Sequence, residues 1–306
     1  MPGCAGRPAG PPAPSARAPF ASREGDSPPP GEPLLLWPSA PTADRWSPVA
    51  AVRLPTGDLV VAEKAQNRLF LLRGRDSAPY RLPPPPESPV EWTALALAPG
   101  LSFYALDGPG GKIHQYDFHG NYLGEALDLK VAAARFELGP IDPVGLAVDR
   151  SGRTVVTDRL GDRVLLFGPG WSYLGTAGET GSAPGAWRRP GRAAVSDDGR
   201  FLVADEGNRR VVLLDGVGAV LEVLDTDDPP RGVVALGSGG FAISLGDRVE
   251  ILDRGLALRE SRVVGPGPEC RGGSAYATEA LAATADGVVV GEGCSGRLLE
   301  IGLRGD

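Results

Sequence analysis

The sequence predicts an all-β chain folded as a six-bladed β-propeller, its last blade closed by a strand from the N-terminal side. Three observations predict it. One block of residues recurs six times, its turn glycines fall about 40 to 50 residues apart, and an apolar run at Leu34 to Trp37 has no hairpin partner of its own. A four-stranded blade needs roughly that length of chain. No amphipathic helical stretch separates the apolar runs, which excludes a β/α repeat. The 44 glycines and 31 prolines supply the turns that so many short strands require.

Each block is an alternating apolar run, a tight glycine turn, a β-rich run ending in an acid, a short polar loop, and a basic residue leading another β-rich run. The copies run through Ala51–Leu72, Ala94–Tyr116, Leu146–Phe167, Ala194–Leu214, Val234–Leu252 and Ala280–Ile301. Ser151-Gly152, Asp198-Gly199 and Asp286-Gly287 read as hairpin turns, where glycine accepts a positive φ and the Asp or Ser side chain bonds nearby backbone. The fourth strands are read from Gly120–Leu127, Trp171–Gly175 and Gly218–Leu224. After Ile301 too little chain remains for a fourth strand. Leu34 to Trp37 is therefore expected to supply the outer strand of the last blade, hiding edges that an open array would leave unpaired. Residues 1–31, rich in proline and small residues, read as a leader or tether, and residues 32–306 as the propeller.

Val203-Ala-Asp-Glu-Gly-Asn-Arg-Arg-Val-Val-Leu-Leu214 and Val156-Thr-Asp-Arg-Leu-Gly-Asp-Arg-Val-Leu-Leu-Phe167 resemble NHL repeats. The likeness covers about residues 47 to 303; the second and fifth copies are degenerate, the fifth losing its acid. What the resemblance implies is first a fold, because members include extracellular enzymes, protein-binding modules and RNA-binding domains.

A formal net charge of −7 does not attract polyanions over the whole chain, so nucleic acid is not expected as a general partner. Arg188-Arg189, Arg192, Arg209-Arg210 and Arg231 form a local basic cluster against that background. No apolar run is long enough to span a bilayer as a helix. Met1-Pro2-Gly3-Cys4 lacks the apolar stretch of a signal peptide, yet Gly-Cys ahead of a Pro-rich tract reads as the start of a mature lipoprotein with Cys4 lipidated. The location expected is extracytoplasmic, periplasmic or envelope-associated, where Cys270 and Cys294 could form a disulfide stapling the last blade.

Five copies place a base five residues after the acid: Glu63/Arg68, Asp107/Lys112, Asp158/Arg163, Asp205/Arg210 and Glu292/Arg297. Acid and base then meet across a hairpin as structural ion pairs. The residues expected at the face where the innermost strands begin are Trp46, Glu91, Trp92, Asp142, Arg192, Arg231, Tyr276 and Glu279. Carboxylates, guanidiniums and aromatics together suit a sugar, lactone or peptide. The resemblance to lactonase-like propellers implies a calcium site at the same place, for which Glu91, Asp142 and Glu279 are the oxygen ligands available and no Asn is.

Only His114 and His119 are present, which excludes a His-rich zinc site. Gly291-Glu-Gly-Cys-Ser-Gly296 matches a dinucleotide-binding string but lies between strands with no helix following. Nucleophile elbow, zincin and thiol-redox motifs are lacking. The connections Leu129–Pro143 and Thr176–Trp187 are long enough to carry a binding surface. Together these features favour a non-catalytic ligand- or protein-binding scaffold, with a calcium-dependent lactonase- or esterase-like hydrolase as the alternative.

Overall fold

In the computed structural model, the residues described are 34–37, 46–74, 78–264, 278–292 and 296–303. The expected leader, Cys4, Cys270, Cys294 and Tyr276 lie outside them, as do the side chains of Leu34, Trp37, Thr278 and Glu279.

Strand β1 (Leu34–Trp37) comes first in the chain and belongs to the last sheet. Blade 1 is β2 (Pro48–Arg53), β3 (Leu59–Glu63), β4 (Arg68–Leu72) and the two-residue β5 (Tyr80–Arg81). Blade 2 is β6 (Trp92–Ala98), β7 (Ser102–Asp107), β8 (Lys112–Asp117) and β9 (Tyr122–Asp128), followed by the short helix α1 (Leu129–Arg135). Blade 3 is β10 (Pro143–Val148), β11 (Thr154–Asp158), β12 (Arg163–Phe167) and β13 (Tyr173–Ala177). Blade 4 is β14 (Pro190–Val195), β15 (Phe201–Asp205), β16 (Arg210–Leu214) and β17 (Val220–Asp225). Blade 5 is β18 (Pro230–Ala235), β19 (Phe241–Leu245), β20 (Arg248–Leu252) and β21 (Leu258–Val263). Blade 6 joins β22 (Thr278–Ala283), β23 (Gly287–Glu292) and β24 (Leu298–Gly302) to β1, with Leu34 opposite Glu300 and Leu35 opposite Leu299. The expected closure is therefore the observed one.

Every sheet has four antiparallel strands, and the inner strands β2, β6, β10, β14, β18 and β22 each touch the next, β22 returning to β2. The packing follows from the two-residue period of a strand. In β3, Val60 and Ala62 enter the apolar cluster shared with blade 2, while Leu59 and Val61 enter the one shared with blade 6. A strand sandwiched in this way is buried along its whole length, as β3, β11, β15 and β23 are, each closing on an acid. The described residues form six apolar clusters, one at each blade interface. Each fully buried Val or Leu there contributes about 1.5 to 3 kcal/mol.

The acid ending the second strand does something more general than pairing with a base: it clamps the start of the inner strand. Glu63 accepts from the Ser47 N–H at 3.0 Å, Asp107 from Glu91 N–H at 3.0 Å, Asp158 from Asp142 N–H at 2.8 Å and Asp205 from Arg188 N–H at 2.9 Å. Ion pairs form in Asp158–Arg163 at 2.9 Å, Asp205–Arg210 at 2.8 Å and Glu292–Arg297 at 2.7 Å. Two expected pairs do not form. Glu63 spends its carboxylate on Ala65 and Gln66 N–H groups, and Lys112 turns to Glu87 and Glu125.

Both long connections are packed onto the blades. Helix α1 buries Leu129 and Ala133, and Leu129 joins the apolar cluster between blades 2 and 3. Trp187 is fully buried between blades 3 and 4, its indole N–H donating to Ala177 O at 3.0 Å. Arg210 holds the preceding loop through the carbonyls of Ser182, Ala183 and Ala186.

Candidate functional site: the central channel

All six inner strands carry an irregularity at the same place. The register skips Val49, Thr93, Val144, Arg231 and Glu279 in blades 1, 2, 3, 5 and 6, and Gly191-Arg192 stand in the same break in blade 4. A bulge takes a residue out of the ladder and leaves its backbone groups seeking other partners. Three of those carbonyls meet one side chain. The Arg192 guanidinium donates to Val144 O at 2.8 Å, to Val49 O at 3.0 Å and to Thr93 O. One arginine from blade 4 thus crosses the axis and ties together the bulges of blades 1, 2 and 3.

The result is a blind channel. Beyond Arg192, a cavity of about 580 Å³ runs between the inner strands toward the face where they end, here the exit face. Its walls are mainly Ala, Val and Leu, including Ala50, Ala94, Leu146 and Leu281. Polar groups gather at the mouth: Arg53, Asp149, Arg150 and Asp197, with Arg150 paired to Asp197 at 2.9 Å. Asp149 is a fixed part of this rim. Burial pushes its pKa up, but bonds from Ser151 and Arg153 outweigh that and hold it below the ordinary carboxylate value.

The opposite, entry face is where the sequence placed its candidates. Trp46 is a core residue between blades 6 and 1, its ring tilted at 35° against Phe70 with ring centres 4.7 Å apart, and does not face the axis. Trp92 is buried as well, edge-on to His114 at 5.6 Å. Both begin or precede an inner strand whose first side chain turns sideways into the blade interface, so their large rings pack there. Glu91 and Asp142 stay at the rim, half-buried and fixed through their backbone N–H groups. Arg192 points into the channel, and exposed Arg231 reaches Glu206 at 3.3 Å. Glu279 occupies the blade 6 bulge.

Among the described residues, no three His, Cys, Asp or Glu side chains are grouped to hold a metal ion. Glu91 and Asp142 alone do not fit calcium, which takes six or more oxygens. His119 lies exposed at a turn tip and His114 is buried away from the channel. Glu206 and Arg159, which the repeat pattern did not single out, also stand on the entry face. Their signal was the short loop after each second strand, Asp158-Arg159 and Asp205-Glu206, which points at the axis.

Comparison with known proteins adds the fold and nothing finer. No family model and no curated protein matches the sequence. Among solved structures, a catalytically inactive virginiamycin B lyase from Staphylococcus aureus with quinupristin is similar at a TM-score of 0.60 and 11% identity, over 89% of this chain and 99% of that one. A structure of a nidogen/laminin complex is similar at 0.57 and 13% identity, over 72% and 81%. YCF48 bound to a D1 peptide is similar at 0.54 and 12% identity, over 85% and 78%. The chain shares a propeller fold that serves both lyases and binding proteins. No helix among the described residues is long and apolar enough to cross a membrane.

Proposed function

We propose that the protein is a ligand-binding propeller without catalytic activity, and that its binding element is the blind channel entered from the exit face. The observation that carries this reading is the channel itself, apolar along its walls, charged at its mouth and stopped by Arg192 at its far end. A concavity of this size with few polar groups suits a small molecule, or a protruding side chain, with an apolar body. 8-Anilinonaphthalene-1-sulfonate, an apolar body with one charged head, is a direct probe. It should give saturable one-site fluorescence that Leu97→Trp abolishes, because Leu97 lines the channel and is partly open to it. A signal unaffected by that substitution, or no signal, would overturn the proposal.

The same proposal places the protein outside the cytoplasm with Cys4 lipidated, supported by the Gly-Cys pair and the Pro-rich tract after it. Fatty-acid labelling that persists in Cys4→Ser would refute the anchor. A second reading is a calcium-dependent lactonase- or esterase-like hydrolase, favoured by the overlay on a lyase along nearly all of its length. Calcium titration of EDTA-treated protein separates the two. A stoichiometric site lost in Glu91→Gln or Glu279→Gln supports the hydrolase, and no heat supports the binding protein.

A further inference from the structure

The entry face carries a second cluster that the channel does not use. Glu206 of blade 4 is buried, and its carboxylate lies between two guanidiniums from the neighbouring blades. Arg159 Nη2 of blade 3 is 3.6 Å from Oε1, and Arg231 Nη1 of blade 5 is 3.3 Å from Oε2. Charge-assisted pairs normally close to about 2.7 to 2.9 Å. Among the described residues the Arg159 side chain finds no hydrogen-bond acceptor, and its Nε is buried without a partner. Such an orphaned donor is uncommon in a folded protein.

The surroundings add charge of the same sign. Arg188 and Arg209 belong to the segments bonded to the Glu206 loop, through Gly207 N–H to Arg188 O at 2.8 Å and Arg209 N–H to Glu206 O at 3.3 Å. Both side chains are exposed. Two guanidiniums therefore flank one buried carboxylate, and two further arginines occupy exposed positions on the segments beside it. Gly191 makes the arrangement possible, since a Cβ there would lie 2.2 Å from Glu206 Oε1.

We propose that this sector of the entry face binds a small ligand bearing oxyanion groups, carboxylate or phosphate, with Arg159 and Arg231 as its clamp. Glu206 holds the two guanidiniums apart and competes for them, so the pocket is set for an anion stronger or better placed than that single carboxylate. Arg188 and Arg209 receive a second negative group, which favours a ligand with two of them. Positive charge confined to one sector of an acidic chain suits a small polyanion better than a long one. This site is separate from the channel mouth and does not depend on the channel binding anything.

Titration calorimetry of the full chain at low ionic strength, with pyrophosphate in one arm and citrate in the other, tests the proposal. One arm should show saturable binding that weakens with added salt; pyrophosphate would identify a phosphate ligand and citrate a carboxylate one. Arg231→Ala, an exposed position that does not threaten folding, should weaken binding about tenfold or more. Glu206→Gln should tighten it by removing the internal competitor. Arg259→Ala, on the outer strand of blade 5 beside Asp253, should change nothing. Leu97→Trp should leave it intact even where channel binding is lost. No saturable heat in either arm, or equal weakening by Arg259→Ala, would overturn the site.

Discussion

Blades 3 and 4 and the seam between blades 6 and 1 are built from one repeat but held together differently. At the first interface the acid and base of the repeat are both in use. Asp205 is fully buried, takes the Arg188 N–H, the Asn208 amide and the Arg210 guanidinium, and Arg210 in turn secures the loop that seats Trp187. Thr157 of blade 3 also donates to Gly191 O of blade 4 at 2.6 Å. At the seam, β1 has four residues with an irregular register and β5 has two, and Glu63 bonds to backbone N–H groups rather than to Arg68. Among the described residues the seam combines apolar packing around Leu36 and Trp46 with the backbone bonds of Glu63, where blades 3 and 4 add a buried network between side chains. A repeat thus specifies a sheet, while the interface partners specify how tightly that sheet is locked to its neighbour.

The largest effect should come from breaking the polar network. Asp205→Ala leaves the Arg210 charge buried without its carboxylate and frees three donors, so a loss of about 3 to 5 kcal/mol is expected. Urea unfolding would measure it, and a change below about 1 kcal/mol would mean that the network is incidental. The seam should answer to apolar truncation instead. Leu36→Ala removes a buried side chain from an apolar cluster, at a cost of about 2 to 4 kcal/mol. Hydrogen exchange should then accelerate in β24, the partner of β1, before it does in β16. Uniform acceleration in both strands would show that the ring opens as one unit and that the seam is not its weak point.

The two regions also differ in how far they could be read from the residues. The ring, its six blades and the closing role of Leu34–Trp37 follow from periodicity, because a propeller has one strand pattern and one edge problem. The positions of Arg192, Arg231 and Glu279 at the starts of inner strands follow from the same periodicity. Their behaviour does not. That Arg192 would bond three carbonyls depends on bulges in blades 1, 2 and 3, where Val49, Thr93 and Val144 give no charge signal. Trp46 and Trp92 misled because an aromatic near a strand start can turn either to the axis or into the interface, and burial area decides it. Asp117, Asp215 and Asp253 each accept from the N–H groups two and four residues onward, closing the outer hairpins. Their spacing was visible, yet meaningful only once those turns were placed.

The smallest expected effect sharpens the comparison at the other side of blade 1. There blade 2 carries a cluster of Trp92, His114, Tyr116 and Tyr122, and the Tyr116 hydroxyl donates to Pro83 O, just after the two-residue β5, at 3.0 Å. His114 is 1% exposed, bonds Tyr122 Oη through Nδ1 at 3.1 Å, and has no partner at Nε2 among the described residues. Burial pushes its pKa below the ordinary 6.5, against weaker upward pulls from Asp107 and Glu125. As pH falls below 6.5 the unfolded chain takes up a proton that the folded one refuses, so stability declines from that point downward. The carboxylates whose pKa values are depressed, Asp117, Asp149, Asp198 and Asp253, lose their contribution only as pH falls through values below 3.8. The two windows are separate. Melting temperature followed from about pH 7 to about pH 5 should therefore fall in the wild type and stay nearly level in His114→Phe, which keeps the ring packed against Trp92 without a titrating group. Parallel curves for the two proteins would mean that His114 protonates in place, and that this interface is as open to water as the one between blades 3 and 4 is closed.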